Sequence, residues 1–325
     1  MGEDKDMRMT RWMLLLAAVW LAVFAAGCSG QNGKKSAPEP AAEKAGGFPV
    51  ELTDGLGEKV KIEKEPERLV SLIPSNTEIA YALGLGDRVA GVSDFDNYPE
   101  ETKEKEKIGG VEFNTEKIIA LKPDLVLAHA STAASVKDGL RQIKESGIDV
   151  LIVNDAQSFK EVYKSIAMIG RATGREDEAD SIISDMKSSL EAIAEKAAAA
   201  TEEKTVFAEV EPEPAIYTTG KGTFMDEMLT LIHARNAAGN EEGWAKMSEE
   251  SIIAMNPDVI ITTYGDYVKD APAQVLKRKG WKSVSAVKNR HVYDVDPDLV
   301  TRSGPRLAEG VEELAKAVYP EIFAE

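Results

Sequence analysis

One fourteen-residue pattern occurs twice in this chain, and it limits the available folds more than any other feature. Asn114 to Leu127 reads NTEKIIALKPDLVL, and Ser248 to Ile261, 134 positions later, reads SEESIIAMNPDVII. Six of the fourteen positions are identical, and half of the others exchange one apolar residue for another. A repeat at this distance marks duplicated lobes, because solenoid repeats recur every ~20–50 residues. In both copies a good N-cap residue, Asn114 or Ser248, opens a short helix. Glu116 and Glu250 then fall in the first helical turn, where the positive helix end favours a carboxylate. Pro123–Asp124 and Pro257–Asp258 stop the helix, and a buried apolar strand follows. On the residues alone, two readings of the paired glutamates stay open. They stabilise helix ends, or they present one acidic knob per lobe to a symmetric partner with basic pockets.

The flanking sequence predicts an α/β fold. Val50–Lys64 alternates apolar and polar residues around a glycine-containing turn and reads as a β-hairpin. Short apolar strands are expected at 69–73, 89–93, 124–128, 150–153, 205–210, 259–262 and 291–295, with helices at 76–83, 158–171, 223–232 and 305–318. Strands alternating with helices imply a mostly parallel sheet. Between the two sets lies a stretch from about Arg175 to Ala200 without Gly or Pro, in which Ala179, Ile182, Ile183, Met186, Leu190, Ile193 and Ala197 recur at helical spacing. Gly174 is the expected C-cap of the helix before it. The fold class expected is α/β, with two parallel-sheet, doubly wound lobes bridged by one long α-helix. Residues 50–173 would form the N-terminal lobe with its hairpin, 174–202 the linker helix and 203–325 the C-terminal lobe. The alternative is a single α/β domain whose longest helix happens to lie centrally; the repeat favours two lobes.

The N-terminus carries Arg8 and Arg11 before an apolar run from Met13 to Gly27. That run is shorter than the ~20 residues a membrane-spanning helix needs and reads as a signal segment covering residues 1–27. Ala25-Ala26-Gly27-Cys28 resembles a bacterial lipobox, with Ala25 where Leu is more usual. Cys28 is therefore the expected lipidation site and mature N-terminus. It is also the single cysteine of the chain, which leaves no intramolecular disulfide. The acids Glu3, Asp4 and Asp6 are unusual in such a leader and suggest translation from Met7 or Met9. Residues 28–49, rich in Gly, Ala, Pro and charge, read as a flexible tether. The net charge of −17 argues against nucleic-acid binding, which uses Lys and Arg to displace counterions.

From Glu67 to the C-terminus the chain resembles the Fe/B12-type periplasmic binding proteins that serve ABC importers of cobalamin, ferric siderophores and haem. The matching stretches are ERLVSLIPSNTEIAYALGLGDRVAGVSDFDNYPEE, NTEKIIALKPDLVLA, EPAIYTTGKGTFMDEML, GWAKMSEESIIAMNPDVI and RSGPRLAEGVEELAKAVYPE. The resemblance implies two lobes on a stiff helical bridge with only modest closure. It implies a monomer held to the extracytoplasmic face of the membrane by lipid on Cys28. It also implies that Glu116 and Glu250 dock to basic pockets of an ABC permease dimer.

For the ligand, the resemblance implies a cleft bearing Phe95, Tyr217, Trp244 and the polar pair Asp298 and Arg302. Pro74, Ser75 and Asn76, at the end of the first strand, face that cleft if the sheet behaves like other open α/β sheets. His129 and Gly110 stand where a cobalamin binder carries tryptophan, and an aromatic-poor cleft weakens the cobalamin assignment. Arg302 suits a carboxylate or catecholate of an anionic siderophore. A ferric siderophore, cobalamin and haem all remain open as ligands, the last through His129 as an iron ligand. No cofactor and no protein metal site are expected, since His129, His233 and His291 are dispersed without ligand spacing. An enzyme is not expected either: the folded part holds no cysteine, no GxSxG elbow and no P-loop. A ligand-sensing lipoprotein that signals to a membrane partner is the other alternative.

Overall fold

The computed structural model describes residues 47–323. The signal segment, Cys28 and most of the tether lie outside the described residues. The expected hairpin is present: β1 (Val50–Thr53) pairs antiparallel with β2 (Lys59–Ile62), with Thr53 opposite Lys59. Asp54 Oδ1 accepts the backbone N–H groups of Leu56 and Glu58, each at 2.9 Å, which sets the turn.

The first sheet is wholly parallel and contains β3 (Leu69–Ser71), β4 (Val89–Val92), β5 (Glu106–Lys107), β6 (Leu125–His129) and β7 (Asp149–Val153), in the order β5-β4-β3-β6-β7. The chain leaves β3 toward one edge and β6 toward the other, so these neighbours form a topological switch point. The second sheet has a parallel centre of β8 (Thr205–Glu211), β12 (Val259–Thr262) and β13 (Val292–Asp294). Short β10 (Arg235–Asn236) pairs parallel with the start of β8. Like β5 and β10, strands β9 (Tyr217–Thr219) and β11 (Trp244–Lys246) are absent from the sequence expectation, and these last two extend the sheet antiparallel alongside the end of β8. They are three residues each and mostly polar, too short for alternation to show.

The repeat does the same local work in both lobes. Asn114 Oδ1 caps its helix by accepting from Lys117 N–H at 2.9 Å, and Ser248 Oγ accepts from Ser251 N–H at 3.2 Å. Both helices, Thr115–Ala120 and Glu249–Met255, are followed by a left-handed residue at the same repeat position: Lys122 with φ +50° and Asn256 with φ +47°. Asn tolerates that conformation, whereas Lys is strained in it. The repeated aspartate also has a role that spacing did not reveal. Asp124 Oδ2 accepts the backbone N–H groups of Glu67 and Arg68, both at 3.0 Å, just ahead of β3. Asp258 Oδ2 accepts Thr205 N–H at 2.9 Å at the start of β8. Each copy thus anchors the first strand of its own sheet.

Helix Phe159–Thr173 ends at Gly174, left-handed at φ +68°, as a C-cap glycine should. The bridging helix follows, Glu176–Ala197, with Glu176, Asp177 and Glu178 in its first turn, where the helix dipole favours them. Its 22 residues span about 33 Å. A Cβ at Gly170 would sit 2.6 Å from that of Ala179, so only glycine lets the two helices cross this closely. His233 lies just beyond helix Phe224–Leu231, left-handed at φ +57°.

Alternation along the strands sorts side chains into three cores. Leu69, Leu125, Leu127, Val206, Ala208, Val259 and Ile261 join Met186 and Leu190 of the bridge in one cluster running through both lobes. Val70, Val126 and Ala128 face a separate core on the outer side of the first sheet. Phe207, Ile260 and Trp281 do so on the second. Phe159 and Phe224 meet edge to face at 6.4 Å, within the shared interior.

Candidate ligand cleft and docking edges

The carboxyl ends of β3, β6 and β7 deliver Ile73–Ser75, His129, Ser131 and Asp155–Gln157 to one place, the position expected for a ligand at a switch point. The second lobe supplies Val210, Thr219, Thr223–Met225, Trp244 and Val300–Ser303 to the facing wall. Together they enclose a cavity of about 250 Å³. This lies just below the ~300–1,000 Å³ of small-molecule sites, so a large ligand would fill the cavity and stand out through its mouth.

Of the residues singled out in the sequence, Pro74, Ser75, His129, Trp244 and Arg302 line this cavity. Trp244 keeps 58% of its surface exposed, a large apolar face with no protein against it. Asn76 lies behind the wall, 1% exposed, donating from Nδ2 to the Ala128 carbonyl at 3.0 Å. Phe95 is outside the cavity and 57% exposed. A Cβ on Gly110 would approach the Phe95 ring to 3.1 Å, so the absence of a side chain at 110 makes room for that ring. Tyr217 shares a strand face with Thr219, opposite Lys246, but does not reach the cavity.

Asp298 and Arg302 are bound to each other and across the lobes. Arg302 Nη2 donates to Asp298 Oδ1 at 2.7 Å. Arg302 Nη1 donates to Asn97 Oδ1 at 2.7 Å and to Glu78 Oε1 at 3.0 Å. Asn97 in turn donates to Asp298 Oδ2 at 2.8 Å. Arg306 grips the same Glu78 through Nε at 2.9 Å and Nη2 at 2.7 Å, and its guanidinium stacks 3.9 Å above the Tyr98 ring. Two arginines and two carboxylates thus form a charge-balanced cluster joining the lobes. Glu78, Asn97, Tyr98 and Arg306 were not anticipated as a unit, and the 224 to 228 residues separating Glu78 from its arginines hide it from any local pattern.

No uncommitted cation therefore lines the cavity among the described residues. Burial pushes His129 below the ordinary imidazole range, opposed by the charge of Asp155, so the ring is neutral at pH 7. Its Nδ1 lies 2.8 Å from Ser131 Oγ. Thr219, 3% exposed, leaves its hydroxyl without a hydrogen-bond partner. Sequence reasoning did not find Ser131, Asp155, Gln157 or Thr219. Thr219 was within reach through its two-residue offset from Tyr217 on one strand. No cluster of three or more His, Cys, Asp or Glu side chains able to hold a metal occurs among the described residues.

Glu116 and Glu250 are both solvent-exposed, each in the first turn of its helix. Beside Glu250, a groove of about 580 Å³ is walled by Glu213, Lys246, Glu249 and Glu250. Glu249 Oε2 is fixed there by Trp281 Nε1–H at 2.9 Å. No described helix is long and apolar enough to cross a membrane.

Comparison with known proteins agrees with this architecture. A periplasmic binding protein family model matches residues 69–299. An uncharacterized ABC transporter substrate-binding lipoprotein of Bacillus subtilis (strain 168) is 55% identical over 96% of this chain and 97% of its own. A cobalamin-binding protein of Halobacterium salinarum is 27% identical over 87% of this chain and 79% of its own. The crystal structure of a possible iron-binding (periplasmic solute-binding) protein from Staphylococcus epidermidis ATCC 12228 superposes with a TM-score of 0.72 at 40% identity. It covers 79% of this chain and all of that one.

Proposed function

This chain belongs to the periplasmic binding protein family, and on that premise we propose that it is the extracytoplasmic solute-binding component of an ABC importer, capturing a cobalamin-type corrinoid between its lobes. It binds and delivers rather than catalyses. The observation that carries the ligand choice is the charge state of the cleft. Arg302, the one guanidinium on the cavity wall among the described residues, is matched by Glu78 and Asp298. Capturing an anionic siderophore would mean breaking that cluster, since an anion needs a free cationic donor. A corrinoid of large apolar faces and neutral amides needs none. The exposed ring of Trp244 supplies the aromatic contact such a ligand uses, and the cobalamin-binding relative supports the same reading.

Three finer features belong to the same proposal. Cys28 carries the lipid that holds the protein at the outer face of the membrane, in keeping with the lipoprotein name of the Bacillus subtilis relative. Glu116 and Glu250, one per lobe at equivalent repeat positions, meet basic pockets of a permease dimer, with the protein acting as a monomer. Residues 50–173 and 203–325 act as the two halves of the receptor on either side of the bridge.

The test is a fluorescence titration of the chain from residue 28 onward with cyanocobalamin, a panel of ferric siderophores and haem. Trp244 stands in the cleft while Trp281 is fully buried beneath Arg278, so quenching by a bound ligand should disappear in Trp244→Phe. Saturable cyanocobalamin binding with that loss is expected. Tight binding of a ferric catecholate or of haem, with no response to cyanocobalamin, would reject the corrinoid reading.

A further inference from the structure

Among the polar atoms on the cavity wall, His129 Nε2 and Thr219 Oγ1 are left without a partner in the described protein, and their chemistry narrows the contact the ligand must make. His129 is one. The backbone N–H of Ser131 points at its Nδ1 from 3.3 Å, and Ser131 Oγ lies 2.8 Å from the same nitrogen. A backbone N–H can only donate, so Nδ1 is the acceptor. A neutral imidazole with an accepting Nδ1 carries its proton on Nε2. Burial keeps the ring neutral. No described group hydrogen-bonds Nε2, and the ring lines the cavity. His129 therefore offers an N–H donor, with its available lone pair already engaged by Ser131.

Thr219 is the other. It lines the facing wall on β9, is 3% exposed, and its Oγ1 has no partner in the protein. A buried hydroxyl left without a partner is costly, so a ligand group that reaches it recovers the missing hydrogen bond. Rotation about the Cβ–Oγ1 bond lets the hydroxyl act as donor or acceptor. One wall thus offers a donor and the other an adaptable hydroxyl, with no free cation beside them among the described residues.

We propose that His129 Nε2–H and the Thr219 hydroxyl together receive a neutral carboxamide on the rim of the ligand, and that His129 does not coordinate the ligand's metal. This rests on the corrinoid reading above and adds the chemical group recognised and the residues that recognise it.

The experiment measures calorimetric affinity for cyanocobalamin, and for its monocarboxylic acids with one side-chain amide hydrolysed, using wild type, His129→Phe, His129→Gln and Thr219→Val. Visible spectra of bound aquocobalamin are recorded alongside. His129→Phe and Thr219→Val should each weaken cyanocobalamin binding five- to thirtyfold, while His129→Gln, which keeps an N–H donor, stays within about threefold of wild type. Thr219→Val should melt no lower than wild type, because its hydroxyl serves no protein partner; a purely structural threonine would lower the melting temperature instead. One monocarboxylic acid should bind wild type poorly and lose little more in the variants. Unchanged cyanocobalamin affinity in both His129→Phe and Thr219→Val overturns the proposal. So does an aquocobalamin spectrum that shifts to nitrogen coordination in wild type but not in His129→Phe. A wild type that binds no corrinoid at all rejects the ligand class itself, and this inference falls with it.

Discussion

Replacing Glu78 by glutamine removes one charge from the centre of the interlobe cluster and nothing else of comparable size. The Glu78 side chain is 2% exposed, and Arg302 and Arg306 are 15% and 13% exposed, so water cannot stand in for the lost carboxylate. Three hydrogen bonds of 2.7 to 3.0 Å lose their charged acceptor. Two guanidinium groups are then left with one carboxylate, Asp298, which pairs with Arg302 and not with Arg306. Breaking a buried ion pair in this way costs about 3–5 kcal/mol, because the surviving charge stays desolvated and unpaired. At ~2.1 cal/mol/K for each of about 280 folded residues, each kcal/mol moves the melting temperature by roughly 1.7 °C, giving a fall of about 5–9 °C. Thermal unfolding followed by circular dichroism reads this directly. The double substitution Glu78→Met with Arg306→Met supplies the control. It removes the orphaned charge together with its partner, leaves Arg302 and Asp298 paired, and should recover most of the loss apart from the Tyr98 stacking, worth ~0.5–1 kcal/mol. A Glu78→Gln protein that melts within about 2 °C of wild type, or a double variant no better than the single one, would refute the view that charge balance holds the lobes together here.

Other substitutions probe other links. Glu116→Ala with Glu250→Ala should cut transport in reconstituted vesicles by about tenfold or more while leaving ligand affinity within about twofold, since both carboxylates are exposed and outside the cleft; equal transport would dismiss the docking role. Burial raises the Asp96 carboxyl above its ordinary range, and its Oδ1 has no partner. The folded state therefore holds that proton more tightly than the unfolded chain. The resulting stabilisation is present below the unfolded-state pKa and is lost as pH rises through the folded one. Asp96→Asn should thus match wild type near pH 4 and exceed it by about 1 kcal/mol at pH 7.5; a pH-independent difference in denaturant midpoints would contradict this. Lys122→Gly should stabilise by about 0.5–1 kcal/mol, because glycine adopts φ +50° without strain, and a loss in chemical denaturation would show that the lysine side chain compensates in some other way.

Much of the architecture was legible because it is written in apolar pattern. The seven strands expected from short apolar runs all formed, within a residue or two at their ends, since a strand buried on both faces must be apolar throughout. The bridge was legible from the steps joining Ala179, Met186, Leu190 and Ala197, all buried. What stayed hidden depends on pairing between distant residues. Strands β9 and β11 exist because Thr219 and Trp244 find each other, and neither segment carries a β pattern of its own. Asp298 and Arg302 were read as facing the ligand from their place in the chain. Only the fold brings Glu78 and Asn97 to them from more than 200 residues away. The aspartates of the repeat looked like helix stops, and their hydrogen bonds to the first strand of each sheet needed coordinates to be seen.

The apolar interior that runs unbroken from one sheet, past Met186 and Leu190, into the other has a kinetic meaning. Swinging the halves apart would wet that interior, and uncovering even ~200 Å² costs about 5 kcal/mol. Such an excursion is populated roughly once in several thousand molecules at equilibrium. Cargo therefore meets a standing aperture of nearly fixed width, and capture is governed by diffusion and fit at the rim rather than by waiting for a gate to open.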